Sequence, residues 1–146
     1  MKIFLAAPYT LCIDKKTGII KQNHKSWLND IISFLESKNV EIISAHRRER
    51  WGENIYSPED AIYADFKSLD EVDMLFAFIG NPPSSGVLME LGYAASRQKK
   101  ICIFFNNETP VPYLAQGLNR WTDTAFIEYS NFESLKVEFN KLLPSL

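Results

Sequence analysis

Five short apolar runs, rich in aromatic and β-branched residues, constrain this chain more than any other feature: "KIFLAAP" (2 to 8), "VEIISA" (40 to 45), "DMLFAFIG" (73 to 80), "ICIFF" (101 to 105) and "AFIEY" (125 to 129). Their length is that of strands, and the lack of strict alternation marks strands covered on both faces. Between them the apolar period changes to that of helices. Trp27, Leu28, Ile31, Ile32 and Leu35 share one face over about 25 to 38, and "SPEDAIYADFKSLDEV" opens with Ser57 as N-cap and Pro58 at the first helical position. A third helix follows Ser84 and Ser85, a short one covers about 112 to 118, and the last buries Phe132, Leu135, Phe139 and Leu142.

Helices between successive strands leave the strands parallel, because a helical crossover returns the chain to the same end of the sheet. The order β-α-β-α-β-α-β-α-β predicts an α/β chain: a doubly wound, Rossmann- or flavodoxin-like three-layer sandwich with a five-stranded, mainly parallel sheet. With 146 residues, 46% of them hydrophobic, one domain spanning 1–146 is expected. The net charge of -2 and pI near 5.7 supply no general basic field. That argues against a partner that is nucleic acid or anionic membrane. Cys12 and Cys102 lack metal-ligand spacing, and no stretch reads as a signal peptide or an 18-residue apolar span. The reading is a soluble, cytoplasmic protein with two free thiols and no metal.

Ligands of such sheets bind beyond the carboxyl ends of the strands. After the third strand, Pro82 and Pro83 stiffen the approach to a helix that Ser84 or Ser85 can cap, with free backbone amides at its start. A helix N-terminus built this way binds anions, phosphate above all. Side chains tilt toward the N-terminus of their helix, so Glu90, about one turn in, hangs back over that anion site. Ser-Ser-Gly also fits a plain cap with Glu90 as a solvated residue. Against that, Glu90 is the one charged side chain between 87 and 95, and a carboxylate on so apolar a segment needs a partner or a task.

The segment "AHRRERWG" after the second strand sets His46, Arg47, Arg48 and Arg50 beside Trp51, the densest positive charge in the chain. Cations beside an aromatic suit a nucleotide's phosphate and base, although a basic loop is also an ordinary solvated surface. His46 fits either a pocket residue or a hydrogen-bonded edge residue. Asp65 sits mid-helix among Asp60, Asp70 and Glu71, and its own position does not separate it from them. Tyr9, after "AAP", fits loop packing or ligand contact equally. There is no GxGxxG after the first strand and no GxxxxGK[ST], GxSxG, CxxC or HExxH, so a dinucleotide fingerprint, a P-loop, a hydrolase elbow and zinc motifs are unsupported. What remains is a carboxylate beside an anion cradle.

Taken together, "FLAAPY", "SAHRRERWG", "SPEDAIYADFKSLDEVD" and "SSGVLMELGYAAS" resemble the nucleoside 2-deoxyribosyltransferase-like N-ribosidases across nearly the whole chain. The "AHRRExWG", "SPxEA" and "SxGxxxE" segments are similar to the cytidine 5′-monophosphate hydrolases of peptidyl-nucleoside antibiotic pathways, those of mildiomycin and blasticidin S. The vertebrate deoxynucleoside 5′-monophosphate N-glycosidase shares SxGxxxELG. The resemblance implies Glu90 as nucleophile, Asp65 as second catalytic carboxylate, and Ser84, Ser85 and Gly86 in a phosphate cradle. It implies that Tyr9 and His46 line the substrate pocket, where Arg47 and Arg48 are further substrate-binding candidates by their charge, and that no cofactor is needed. It also implies a homodimer whose neighbour closes the pocket, through Asp123 or Thr124 of "NRWTDTAF". Transferases acting on free nucleosides carry an Asp six residues before the catalytic Glu, where this chain has Ser84. An Asp there repels a phosphate by several kcal/mol in a partly dry pocket, whereas a Ser donates to it.

The expectation is hydrolysis of the N-glycosidic bond of a nucleoside 5′-monophosphate, of cytidine type by the resemblance, through an ionised Glu90 that forms a glycosyl ester. A deoxyribosyltransferase and a non-catalytic nucleotide-binding module are the alternatives. Ser84 counts against the first, and the Glu90–Asp65 pair against the second. The long insertion after the first strand, "TLCIDKKTGIIKQNHK", has the length of a lid.

Overall fold

A computed structural model describes residues 1–143; the last three of the expected 1–146 domain lie outside the described residues. Five strands, β1 (Lys2–Ala6), β2 (Glu41–Ile43), β3 (Met74–Phe78), β4 (Lys100–Phe105) and β5 (Thr124–Glu128), form one sheet in the order β2-β1-β3-β4-β5. Every neighbouring pair is parallel, with Phe4 opposite Leu75 and Phe76 opposite Cys102 in the centre. This is the flavodoxin-like winding, whose switch point lies between β1 and β3.

Alternate residues of each strand feed two separate cores. Ile3, Leu5, Met74, Phe76, Phe78 and Phe104 pack beneath α1 (Gln22–Glu36) and α5 (Phe132–Leu142). Phe4, Ala6, Leu75, Ala77, Ile101 and Ile103 pack beneath α3 (Pro58–Glu71) and α4 (Ser85–Ser96). The aromatic residues of the first core interlock, with Phe76 stacked on Phe139 at 5.8 Å and Phe78 on Phe104 at 4.7 Å. Ser57 caps α3 by accepting from the Asp60 amide at 3.2 Å, with Pro58 at its first position as the sequence predicts.

Two segments differ from expectation. The "AHRRERWG" loop is a helical turn, α2 (Ala45–Arg48), followed by a 3-10 turn at Arg50–Gly52, while the helix near 112 to 118 is a 3-10 segment, Leu114–Arg120. The insertion after β1 is also ordered: it makes a 3-10 turn at Thr10–Cys12 and an antiparallel bridge between Ile13 and Ile20. It is docked where the Ile20 amide donates to the Trp51 carbonyl at 2.9 Å. Gly52 permits this docking, because its φ is +98° and a Cβ there would stand 2.8 Å from the Gly18 carbonyl oxygen.

Candidate active site

Beyond the carboxyl ends of β1, β2 and β3 lies a cavity of about 420 Å³, lined by Tyr9, His46, Glu49, Asp65 and Glu90 and by the α4 start at Ser84–Val87. A second depression, about 540 Å³, opens between β4 and β5 against Asn106, Val111, Gln116, Phe126 and Glu128. It holds no buried carboxylate, which makes the first cavity the candidate site.

Ser84 is the N-cap of α4 and accepts the Val87 amide at a long 3.5 Å, which leaves its own hydroxyl proton free to donate. The first amides of a helix have no intrahelical partner, and Ser85 and Gly86, at the start of α4, line the cavity. Gly86 has no steric need to be glycine: a Cβ there meets nothing nearer than the Ser84 hydroxyl at 3.8 Å. Its lack of a side chain keeps the cradle open.

Glu90 is 8% exposed and hydrogen-bonds the Asp65 carboxyl. Burial first, then the charge and hydrogen bond of Asp65, hold the Glu90 carboxyl well above the usual carboxylate range, with Arg48 opposing. The protonated form of Glu90 is thereby favoured beside the Asp65 carboxylate. The ionised Glu90 expected from the sequence is opposed in the free site by desolvation and by the neighbouring carboxylate.

The arginines do not form a cationic wall. Arg47 turns outward to Glu36 at 2.7 Å and to the Ile42 carbonyl. Arg48 stands behind the carboxylates, 2.8 Å from Asp65 and 3.6 Å from Glu49, with its guanidinium over the Tyr56 ring. Neither lines the cavity, and Arg50 is exposed. Side chains on other elements, Glu36 of α1 and Asp65 of α3, capture these cations before a ligand can. His46 is buried and near neutral, its pKa lowered to about 4 by desolvation, and its Nε2 bonds the Pro8 carbonyl at 2.9 Å. His24 from α1 meets the same carbonyl at 3.0 Å. The two histidines fix the β1 exit, and Tyr9 packs its ring 4.6 Å from that of His46.

Asp123 and Thr124 stand at the start of β5, on the amino edge of the sheet and away from the cavity, where Asp123 lies 3.8 Å from Lys100. Sequence reasoning missed Glu49, which is 5% exposed, lines the cavity and accepts the Tyr56 amide at 2.7 Å. The signal was its place one helical turn after His46, on the same inward face.

The sequence profile described as "Nucleoside 2-deoxyribosyltransferase" matches residues 17–144. The chain belongs to this family. Among solved structures it is similar to the Clostridium botulinum CMP N-glycosidase BcmB, with a TM-score of 0.75 and 26% identity over 97% of this chain and 99% of that one. It is likewise similar to BlsM, solved in solution, with a TM-score of 0.82 and 26% identity over 95% of this chain and 86% of that one. The 2-deoxyribosyltransferase of Bacillus psychrosaccharolyticus shares the fold, with a TM-score of 0.63 at 17% identity over 93% of this chain and 90% of that one. No curated protein sequence matches the chain. Family members are enzymes of glycosyl transfer or hydrolysis.

Proposed function

We propose that this protein hydrolyses the N-glycosidic bond of nucleoside 5′-monophosphates, cytidine 5′-monophosphate among them. The observation that carries the reading is Glu90 buried against Asp65 within one turn of an uncharged, capped anion cradle at Ser84–Gly86. The phosphate sits on the α4 amides and the Ser84 hydroxyl, and its binding energy serves to position C1′ over Glu90. The Glu90 proton supplies what a departing pyrimidine requires. Passed through Asp65 to the base, it leaves Glu90 ionised to attack C1′ as the C1′–N bond breaks. Water then opens the ester, giving its proton to Asp65 and its hydroxyl to C1′, which restores the pair. Arg48 holds Asp65 in place and balances its charge.

The reading includes a homodimer. An apolar face runs over α4 and the adjacent 3-10 segment, with Leu88, Met89, Tyr113, Leu114 and Trp121 all exposed. Antiparallel pairing of two such faces brings the amino edge of one subunit, with Asp123 and Thr124, toward the cavity edge of its partner. Transfer to an acceptor base is the second reading, favoured by the family's description, and it is distinguished by exchange that depends on added base. The test is a panel of ribo- and deoxyribonucleoside 5′-monophosphates, with base release followed by chromatography. Release from at least one, abolished in Glu90→Ala, supports the reading, and no release from any refutes it.

A further inference from the structure

The cavity spans three strand exits in spatial order. The phosphate cradle is at β3, Tyr9 is at β1, and His46 and Glu49 are at β2, so the far end lies about two strand spacings, roughly 10 Å, from the cradle. Glu90 and Asp65 line the same cavity. A nucleotide with its phosphate on α4 and C1′ at Glu90 therefore directs its base toward Tyr9 and Glu49.

Those two residues are a matched pair. One Glu49 oxygen takes the Tyr56 amide at 2.7 Å. The other makes only a 3.6 Å ion pair with Arg48, too long for a hydrogen bond, and so keeps accepting capacity. The Tyr9 hydroxyl is buried and has no hydrogen-bond partner among the described residues. Burial and Glu49's charge push its pKa up to about 12, which keeps it a donor. A donor beside an acceptor fits a base edge that presents an acceptor beside a donor.

We infer that Glu49 and Tyr9 read the base: Glu49 accepts from the 4-amino group of a 4-aminopyrimidine while Tyr9 donates to the adjacent ring nitrogen. Uracil reverses both groups, placing its O4 lone pairs against the carboxylate and its N3–H against the hydroxyl. The inference rests on the proposed N-glycosidase reading, and it assigns to Glu49 a specificity role that the position of the residue alone does not require. A merely structural Glu49 would hold Tyr56 and Arg48 and treat all bases alike.

The experiment compares kcat/KM for 5′-CMP and 5′-UMP in wild type, Glu49→Gln and Tyr9→Phe. The wild type should favour CMP by on the order of 100-fold, and Glu49→Gln should shrink that ratio by roughly 10-fold or more, through loss on CMP. Equal losses on both substrates would overturn the inference. N4,N4-dimethyl-CMP needs no variant and guards against misfolding: the wild type should turn it over as poorly as UMP, and turnover equal to CMP would also overturn the assignment. Absence of release from every nucleotide by the wild type would count against the N-glycosidase reading itself, whereas release with an unchanged CMP to UMP ratio in Glu49→Gln counts against Glu49 alone.

Discussion

At the residue scale the proposed mechanism uses one proton held between the buried Glu90 and the partly buried Asp65. The reactive form carries that single proton, so kcat/KM should fall as pH rises through the raised pKa of Glu90. Asp65→Asn removes the like charge that helps raise it, along with the proton path. That variant should lose turnover by on the order of a thousandfold and lose the alkaline limb from what remains. Stability follows the same sign. A carboxyl with a raised folded-state pKa contributes stability below its unfolded value, and that contribution disappears as pH rises through the folded value. Glu90→Gln should therefore melt higher than wild type at neutral pH, with the gap closing below the ordinary carboxylate range. Thermal melts across pH decide this, and a Glu90→Gln Tm equal to wild type at every pH would contradict a buried, destabilising carboxylate. At this scale the sequence was only partly legible. Glu90 stood out because its segment is otherwise apolar, while Glu49 lies among arginines, where a carboxylate gives no sign of burial. Arg47 and Arg48 read as phosphate ligands because their partners, Glu36 and Asp65, come from helices far away in the chain.

At the element scale, the strand exits are held by contacts between elements that no local pattern encodes. His46 of α2 and His24 of α1 converge on one carbonyl of the β1 exit. His46 has a depressed folded-state pKa, so its contribution is present above the unfolded value of 6.5 and is lost as pH falls toward about 4. That costs roughly 3 kcal/mol across the window. His46→Gln keeps a donor for Pro8 and should flatten this acid loss in a denaturant titration between those pH values. The α4 start carries two further tests. Ser84→Asp sets a charge beside the phosphate and should weaken turnover of monophosphates by roughly 4 kcal/mol while sparing free nucleosides. Gly86→Leu should fold normally, given the open space at that position, yet raise KM for a monophosphate. Strands, helices and caps were legible here because period and capping chemistry are local. The short α2 was not, since four residues give no period to detect.

At the scale of the whole molecule, the parallel order β2-β1-β3-β4-β5 gathers the cradle, the carboxylates and the aromatic end at one edge, and leaves Asp123 at the other. The dimer proposed above, paired through α4, would bring the two edges together. Met89→Glu should yield a monomer by light scattering with little turnover. Mixing Glu90→Ala with Asp123→Ala should restore roughly a quarter of wild-type activity, because each mixed dimer then holds one complete site. Winding and layer structure were legible from strand–helix alternation alone. That Leu88 and Met89 are exposed was not, because in sequence they look like the buried residues of any apolar helix.

In the proposed reaction an uncharged cradle at Ser84 delivers a phosphorylated substrate to Glu90. The most direct measurement sets 5′-CMP against cytidine with the same protein, following free cytosine. The account predicts release from 5′-CMP, loss of that release in Glu90→Ala, and a kcat/KM for cytidine lower by at least on the order of a hundredfold. Equal turnover of cytidine and 5′-CMP, or release that survives removal of Glu90, would contradict it.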